Sequence, residues 1–150
     1  MTYLIQLITA FLGTIVMSVV FNIRRVHLIP AGIGGFLGWG VYLLMSLATP
    51  GEFLRTLVAA SVIALYAEIL ARVEKAPTTI FLVSAAIPLF PGASLYRTMS
   101  CAVASDMEGF VSRGLATLES AAGIACGILC TMTLWYMASR IRRLTMKRKP

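Results

Sequence analysis

Charged residues are scarce in this chain: they make up 13% of its 150 residues, where soluble domains carry roughly a quarter. Hydrophobic residues reach 59% and the mean hydropathy is +0.87. A soluble domain of this length leaves about a third of its unfolded surface exposed, and an apolar surface on this scale must face lipid. Acidic residues number only six and histidine only one, His27. No serine, threonine or cysteine stands in a pattern with a histidine and a carboxylate, and there is no glycine-rich phosphate loop. The chain is therefore not expected to be an enzyme or to need a cofactor. Its three cysteines, Cys101, Cys126 and Cys130, are too few and too odd in number for a disulfide framework. Cys126 and Cys130 share a helical face, but no nearby histidine or carboxylate completes a metal set. They read as small packing residues.

The net charge of +7 does not describe a nucleic-acid surface, because the basic residues do not form a patch interleaved with stacking aromatics. They gather at the ends of five apolar runs, at about Tyr3 to Phe21, Leu28 to Ala48, Phe53 to Ala71, Thr78 to Ala104 and Leu115 to Ala138. Each is near or above the ~20 residues that cross ~30 Å of hydrocarbon. Helices are required, since an open sheet edge in lipid would leave backbone groups unpaired. The fold class is an all-α integral membrane protein with about five transmembrane helices, forming one domain over residues 1–139 and followed by a basic tail, residues 140–150. The first run is expected to be a retained span, because Met1 to Gln6 contains no basic residue and the run is long for a signal peptide.

Loop charge sets the expected orientation, since cytoplasmic loops retain Lys and Arg. Five crossings put Arg24, Arg25, Arg72, Lys75, Arg140, Arg142, Arg143, Lys147, Arg148 and Lys149 on one side, and only Arg55 and Arg113 on the other. The N-terminus is expected outside and the C-terminus in the cytoplasm, with the tail anchoring the chain at the anionic leaflet of a bacterial inner membrane. Gly34 with Gly38, and Gly123 with Gly127, are small-xxx-small pairs that let helix backbones approach closely. Such faces imply partners, within the chain or across subunits of a higher oligomer.

The fourth run is interrupted by Pro88-Leu89-Phe90-Pro91-Gly92. Pro88 and Pro91 each lack a backbone donor and clash with the preceding turn, and Gly92 tolerates any backbone angle. Pro88 lies ten residues beyond Thr78, ~15 Å along a helix and so near mid-bilayer. A re-entrant loop here would reverse every later loop, so one broken crossing fits the charges better. Backbone groups freed at that depth need burial in protein or a watery cavity. The second half-helix can offer free amides and a positive dipole end to a carboxylate or zwitterion. The plain alternative is a proline kink repaired by neighbouring helices.

Ser94, Tyr96, Arg97 and Thr98 follow the break and complete the substrate-binding candidates with Pro88, Pro91 and Gly92. Arg97 can hold a carboxylate bidentately, or snorkel outward, or pair with an acidic residue of a partner. Glu68 stands four residues before Arg72, the spacing of a helical ion pair; a carboxylate there is also a proton-coupling candidate if burial raises its pKa. His27, beside Arg24 and Arg25, reads as solvated.

The run from Tyr66 to Val83, which contains Ala71-Arg72-x-x-Lys75-x-Pro77, and the run from Ile87 through Pro88-x-x-Pro91-Gly92 to Met99 resemble the threonine/serine exporter (ThrE) family. Val20-Phe21-Asn22 fits as well, and the similarity is to the small five-span subunit of the family's split form, the YjjB type. The resemblance implies proton-motive-force-driven export of threonine- and serine-like amino acids, or of dicarboxylates such as succinate in other members. It also implies a separate, larger membrane subunit as partner. Arg97 falls where the family varies. The competing class is a non-transporting membrane scaffold that assembles a partner through its glycine faces.

Overall fold

The computed structural model describes residues 1–147, with side chains as far as Ile141; the rest of the expected basic tail lies outside the described residues. The described chain is helical throughout its elements: α1 (Thr2–Val20), a 3₁₀ turn (Arg25–His27), α2 (Leu28–Ala48), α3 (Glu52–Val73), α4 (Thr78–Ala86), a 3₁₀ turn (Ile87–Leu89), α5 (Gly92–Val103) and α6 (Met107–Lys147). Among the described residues four helices are long and apolar enough to cross a membrane, and the bent pair α4–α5 makes a fifth if it counts as one span. The first four expected runs agree with these elements to within two residues. The fifth lies within a longer helix: α6 begins eight residues before Leu115 and continues through residues 140–147, so the described part of the basic tail is helical.

Three helices stop by the same local device. Asn22, Lys75 and Ser105 take φ of 54°, 50° and 59°. The next residue then donates back across the last turn, Ile23 to Ser18 at 3.0 Å, Ala76 to Ala71 at 3.0 Å and Asp106 to Cys101 at 2.9 Å. This is the Schellman closure, which satisfies carbonyls the helix end would leave free. Each turn is therefore short, and consecutive helices return side by side.

α3 sits at the centre, packed on α2, α4 and most extensively on α6, while α1 lies outside on α2. The core is made of small residues. Ala59, Ala60, Ile63, Ala85, Leu89 and Ile124 form one buried cluster, and Ala67, Ala71 and Phe81 a second. Lipid supplies no hydrophobic drive between helices, so contact must come from close approach and interhelical polar bonds. Both expected glycine pairs serve that approach. A methyl group on Gly34 would fall 2.8 Å from Ala85 Cβ and 3.0 Å from Tyr66 Cε1, while Gly38 lies against Ile63. On α6, Gly123 faces Phe53 O and Gly127 faces Leu57 O, each 2.5 Å from where a Cβ would stand. Buried hydroxyls bond back into their own helices, as Thr14 does to Ala10 O (2.8 Å) and Ser18 to Thr14 O (2.7 Å). Between helices, Tyr66 Oη donates to Pro30 O at 2.7 Å and Ser61 Oγ to Gly127 O at 3.4 Å.

α5 is the exception to this packing. Its main neighbour is α6, and only Thr98 and Cys101 along it are buried. Cys126 and Cys130, expected as packing residues, are exposed on α6, because the glycines occupy the face turned to α3.

Candidate functional site

The break is built by two prolines. α4 ends at Ala86, and Phe90 N–H donates to Ile87 O at 3.2 Å to close a single 3₁₀ turn through Pro88. Phe90 is extended (φ −62°, ψ 127°), as the residue before a proline prefers. Pro91 (φ −78°, ψ 48°) then turns the chain, and Gly92 N–H reaches Phe90 O at 2.8 Å, close to an inverse γ-turn. The two helical arms differ in direction by 50°. Gly92 does not have a positive φ and no neighbour lies within 4 Å of an added Cβ, so of the three residues expected to interrupt the helix it is the two prolines whose conformations form the break. α5 opens with Leu95 N–H on Pro91 O at 2.9 Å and has no side-chain cap. The amides of Ala93 and Ser94, in its first turn, are left without an intrahelical acceptor.

Ala93 and Ser94 belong to the wall of a cavity of about 230 Å³ that is also lined by Pro88, Leu89, Phe90 and Pro91. α2 contributes Trp39 and Tyr42, α3 contributes Glu52 and Thr56, and α6 contributes Ala116 and Ser120. Tyr42 Oη donates to the Glu52 carboxylate at 3.1 and 3.2 Å, and Arg55 approaches Glu52 Oε1 at 3.4 Å. Trp39 stacks on Tyr42 with ring centroids 5.0 Å apart, and its buried Nε1 has no hydrogen-bond partner among the described residues. Trp39 and Pro88 also face a more open groove of about 300 Å³ beside Gln6, Thr9 and Gly13 of α1. The break thus separates two spaces.

Of the candidates named from sequence, Pro88, Pro91 and Ser94 come together in the cavity. Arg97 is exposed and lines an adjoining cleft with Ser94. Tyr96 is turned away, 75% exposed, so it is not a wall of the cavity. Thr98 packs between α5 and α6, its hydroxyl on Ser94 O at 2.9 Å and 3.3 Å from Thr117 Oγ1. Trp39, Tyr42, Glu52, Thr56 and Ser120 were missed by sequence reasoning. Only the helix packing brings them to the break, although a tyrosine and tryptophan three residues apart inside a glycine-rich span were a visible signal.

The family model described as Threonine/Serine exporter, ThrE, matches residues 6–134. The chain belongs to that family. It is a family of transporters, and the match spans α2 to α5 entirely and most of α1 and α6. No curated protein and no solved structure matches the chain.

A second polar locus of this exporter-family chain lies between the far ends of α3 and α6. Glu68 and Arg72 line one cavity of about 330 Å³ with Trp135, Tyr136 and Ser139. The ion pair expected between them does not form. Arg72 instead stacks over the Trp135 ring at 4.8 Å and donates to Ser139 Oγ at 3.0 Å, because an aromatic face and a hydroxyl on α6 are better placed for a planar guanidinium than its own helix neighbour. Glu68 is left half-buried with no ion pair among the described residues. His27 also departs from expectation: it is buried, with Nδ1 3.4 Å from Glu74 Oε2 and its ring edge-on to Phe81 at 5.4 Å.

Proposed function

We propose that the chain is a subunit of a secondary-active exporter of small amino acids of the threonine and serine kind, with the cavity at the break as its half of the substrate chamber. The observation that carries this reading is the convergence of Pro88, Pro91 and the open first turn of α5 with Trp39, Tyr42, Glu52 and Ser120. Interrupted helices at membrane depth place free backbone groups where a polar substrate can use them. The α5 amides and dipole suit a carboxylate, the Trp39 indole is a spare donor, and Glu52 suits an ammonium. A carboxylate in the wall disfavours a dicarboxylate as cargo, so the zwitterion is preferred.

The chain is read as sitting in a bacterial inner membrane with its C-terminus in the cytoplasm, and α4–α5 as one broken crossing; the distribution of Lys and Arg supports both. A larger membrane subunit is the natural cover for α5, whose Leu95, Tyr96, Met99 and Val103 are 55–88% exposed. Proton coupling is assigned to Glu68, a half-buried carboxylate with no ion pair among the described residues, beside an Arg72 fixed by Trp135 and Ser139.

Reconstituting the chain with its partner in vesicles and following labelled threonine tests this. Ser120→Leu fills the cavity from α6 and is expected to lower efflux at least about tenfold with assembly intact; undiminished efflux would sink the chamber. Glu68→Gln keeps shape and removes the carboxylate. It is expected to abolish accumulation driven by a pH gradient while threonine–threonine exchange continues, a contrast that a purely structural role for Glu68 would not produce.

A further inference from the structure

Arg97 on α5 and Arg113 on α6 line one cleft of about 440 Å³ whose other walls are Ser94 and Ala116. The two helices form an antiparallel hairpin about the Ala104–Asp106 turn. Arg97 precedes that turn by seven residues and Arg113 follows it by seven, which puts both ~10 Å from it at 1.5 Å per residue. Neither guanidinium makes an ion pair or hydrogen bond among the described residues, and the hairpin's own carboxylates do not supply one. Asp106 is used to cap α6 through Gly109 N–H at 3.0 Å, and neither Glu108 nor Glu119 forms an ion pair among the described residues. Arg97 and Arg113 are both exposed, and two like charges at one level of a helix hairpin repel each other, the more so where lipid or a partner covers them. An anion between them relieves that repulsion.

The same cleft adjoins the break cavity, since Ser94 and Ala116 are walls of both. We infer that Arg97 and Arg113 together form a carboxylate clamp for the transported amino acid, which enters or leaves the break cavity with its carboxylate held by the pair and its ammonium leading toward Glu52. This rests on the exporter reading and adds to it an orientation and a second specificity residue, Arg113. A lipid phosphate would satisfy the same charges, but the clamp's continuity with a cavity walled by Glu52, Tyr42 and Ser120 favours a ligand that carries both signs.

The test uses the chain assembled with its partner in vesicles, with labelled L-threonine and its amide, which keeps the ammonium but lacks the carboxylate. The unaltered protein should move threonine and discriminate against the amide. Arg97→Ala/Arg113→Ala should raise the KM for threonine about 10- to 100-fold, the range for losing charge-assisted hydrogen bonds, with little change in maximal rate, and should erase the discrimination. Arg97→Lys/Arg113→Lys keeps the charge and shape closely enough to fold, and should retain part of the discrimination. If the alanine pair assembles, yet keeps its KM and still rejects the amide, the clamp is wrong. It is equally wrong if the pair's only defect is a lost response to anionic lipid. Should the unaltered protein move no threonine at all, the exporter reading fails instead.

Discussion

Leucine in place of Gly123 or Gly127 is expected to separate α6 from α3 and to cost the protein most of its resistance to unfolding in detergent. A Cβ on Gly127 would stand 2.5 Å from Leu57 O and 3.2 Å from Ser61 N; one on Gly123 would stand 2.5 Å from Phe53 O and 3.2 Å from Leu57 N. These are backbone atoms of a helix, which cannot rotate out of the way as a flexible side chain can. The helix axes must part, and with them go the Ser61–Gly127 bond at 3.4 Å and the contacts of Ile124 with the Ala59–Ala60–Ile63 cluster. Overpacking of this kind costs about 1–3 kcal/mol and more where nothing can yield. Leucine at Gly13, where nothing lies within 4 Å of an added Cβ, is the matched control and should change stability by under about 0.5 kcal/mol. Thermal unfolding followed by size-exclusion chromatography reads both. Equal melting of the Gly127 and Gly13 variants would show that the α3–α6 approach is not what holds the bundle together.

Helix positions were legible in the sequence wherever hydropathy changed abruptly. Pro77 and the Glu74–Lys75 pair mark the α3–α4 turn, and Pro50-Gly51 marks the start of α3. α6 was not legible in full, because Glu108, Arg113 and the basic residues from Arg140 lower hydropathy without lowering helix propensity. Alanine, leucine, methionine and arginine all propagate helix readily, so the helix outruns the apolar window at both ends. The break was legible as chemistry, since two prolines three apart leave no regular alternative. Its partners were not. Glu52 stands just before the third apolar run, outside its hydropathy, and only the packing of α2 on α3 brings it to Tyr42. Arg72 shows a similar limit: i, i+4 spacing names a neighbour, but Trp135 is sixty-three residues away and competes through a tertiary contact.

Restoring a regular helix at the break is expected to abolish transport with little loss of stability. In Pro88→Ala/Pro91→Ala both missing donors return and the ring clashes with the preceding turn disappear, so α4 and α5 can join with i→i−4 bonds across residues 87–92. The 50° bend then relaxes. Ala93 and Ser94 lose their place at a helix start, because their amides become ordinary interior donors, and the dipole end between the two arms vanishes. Straightening also swings Ser94 and Arg97 relative to Ala116 and Arg113, which opens the walls shared by cavity and cleft. Small misplacements of positioned groups cost on the order of 100-fold, and threonine efflux should fall at least that far. Stability should hold, since the i→i−4 bonds regained across residues 87–92 offset the freedom that alanine gives back to the unfolded chain. The paired measurement is decisive because a simple kink and a functional break differ in its outcome. A kink predicts that efflux survives straightening as long as the α3–α6 core is intact, whereas a functional break predicts a stable, assembled and silent protein. Pro88→Ala alone leaves the Pro91 turn and the α5 start in place, so its defect should be the smaller of the two.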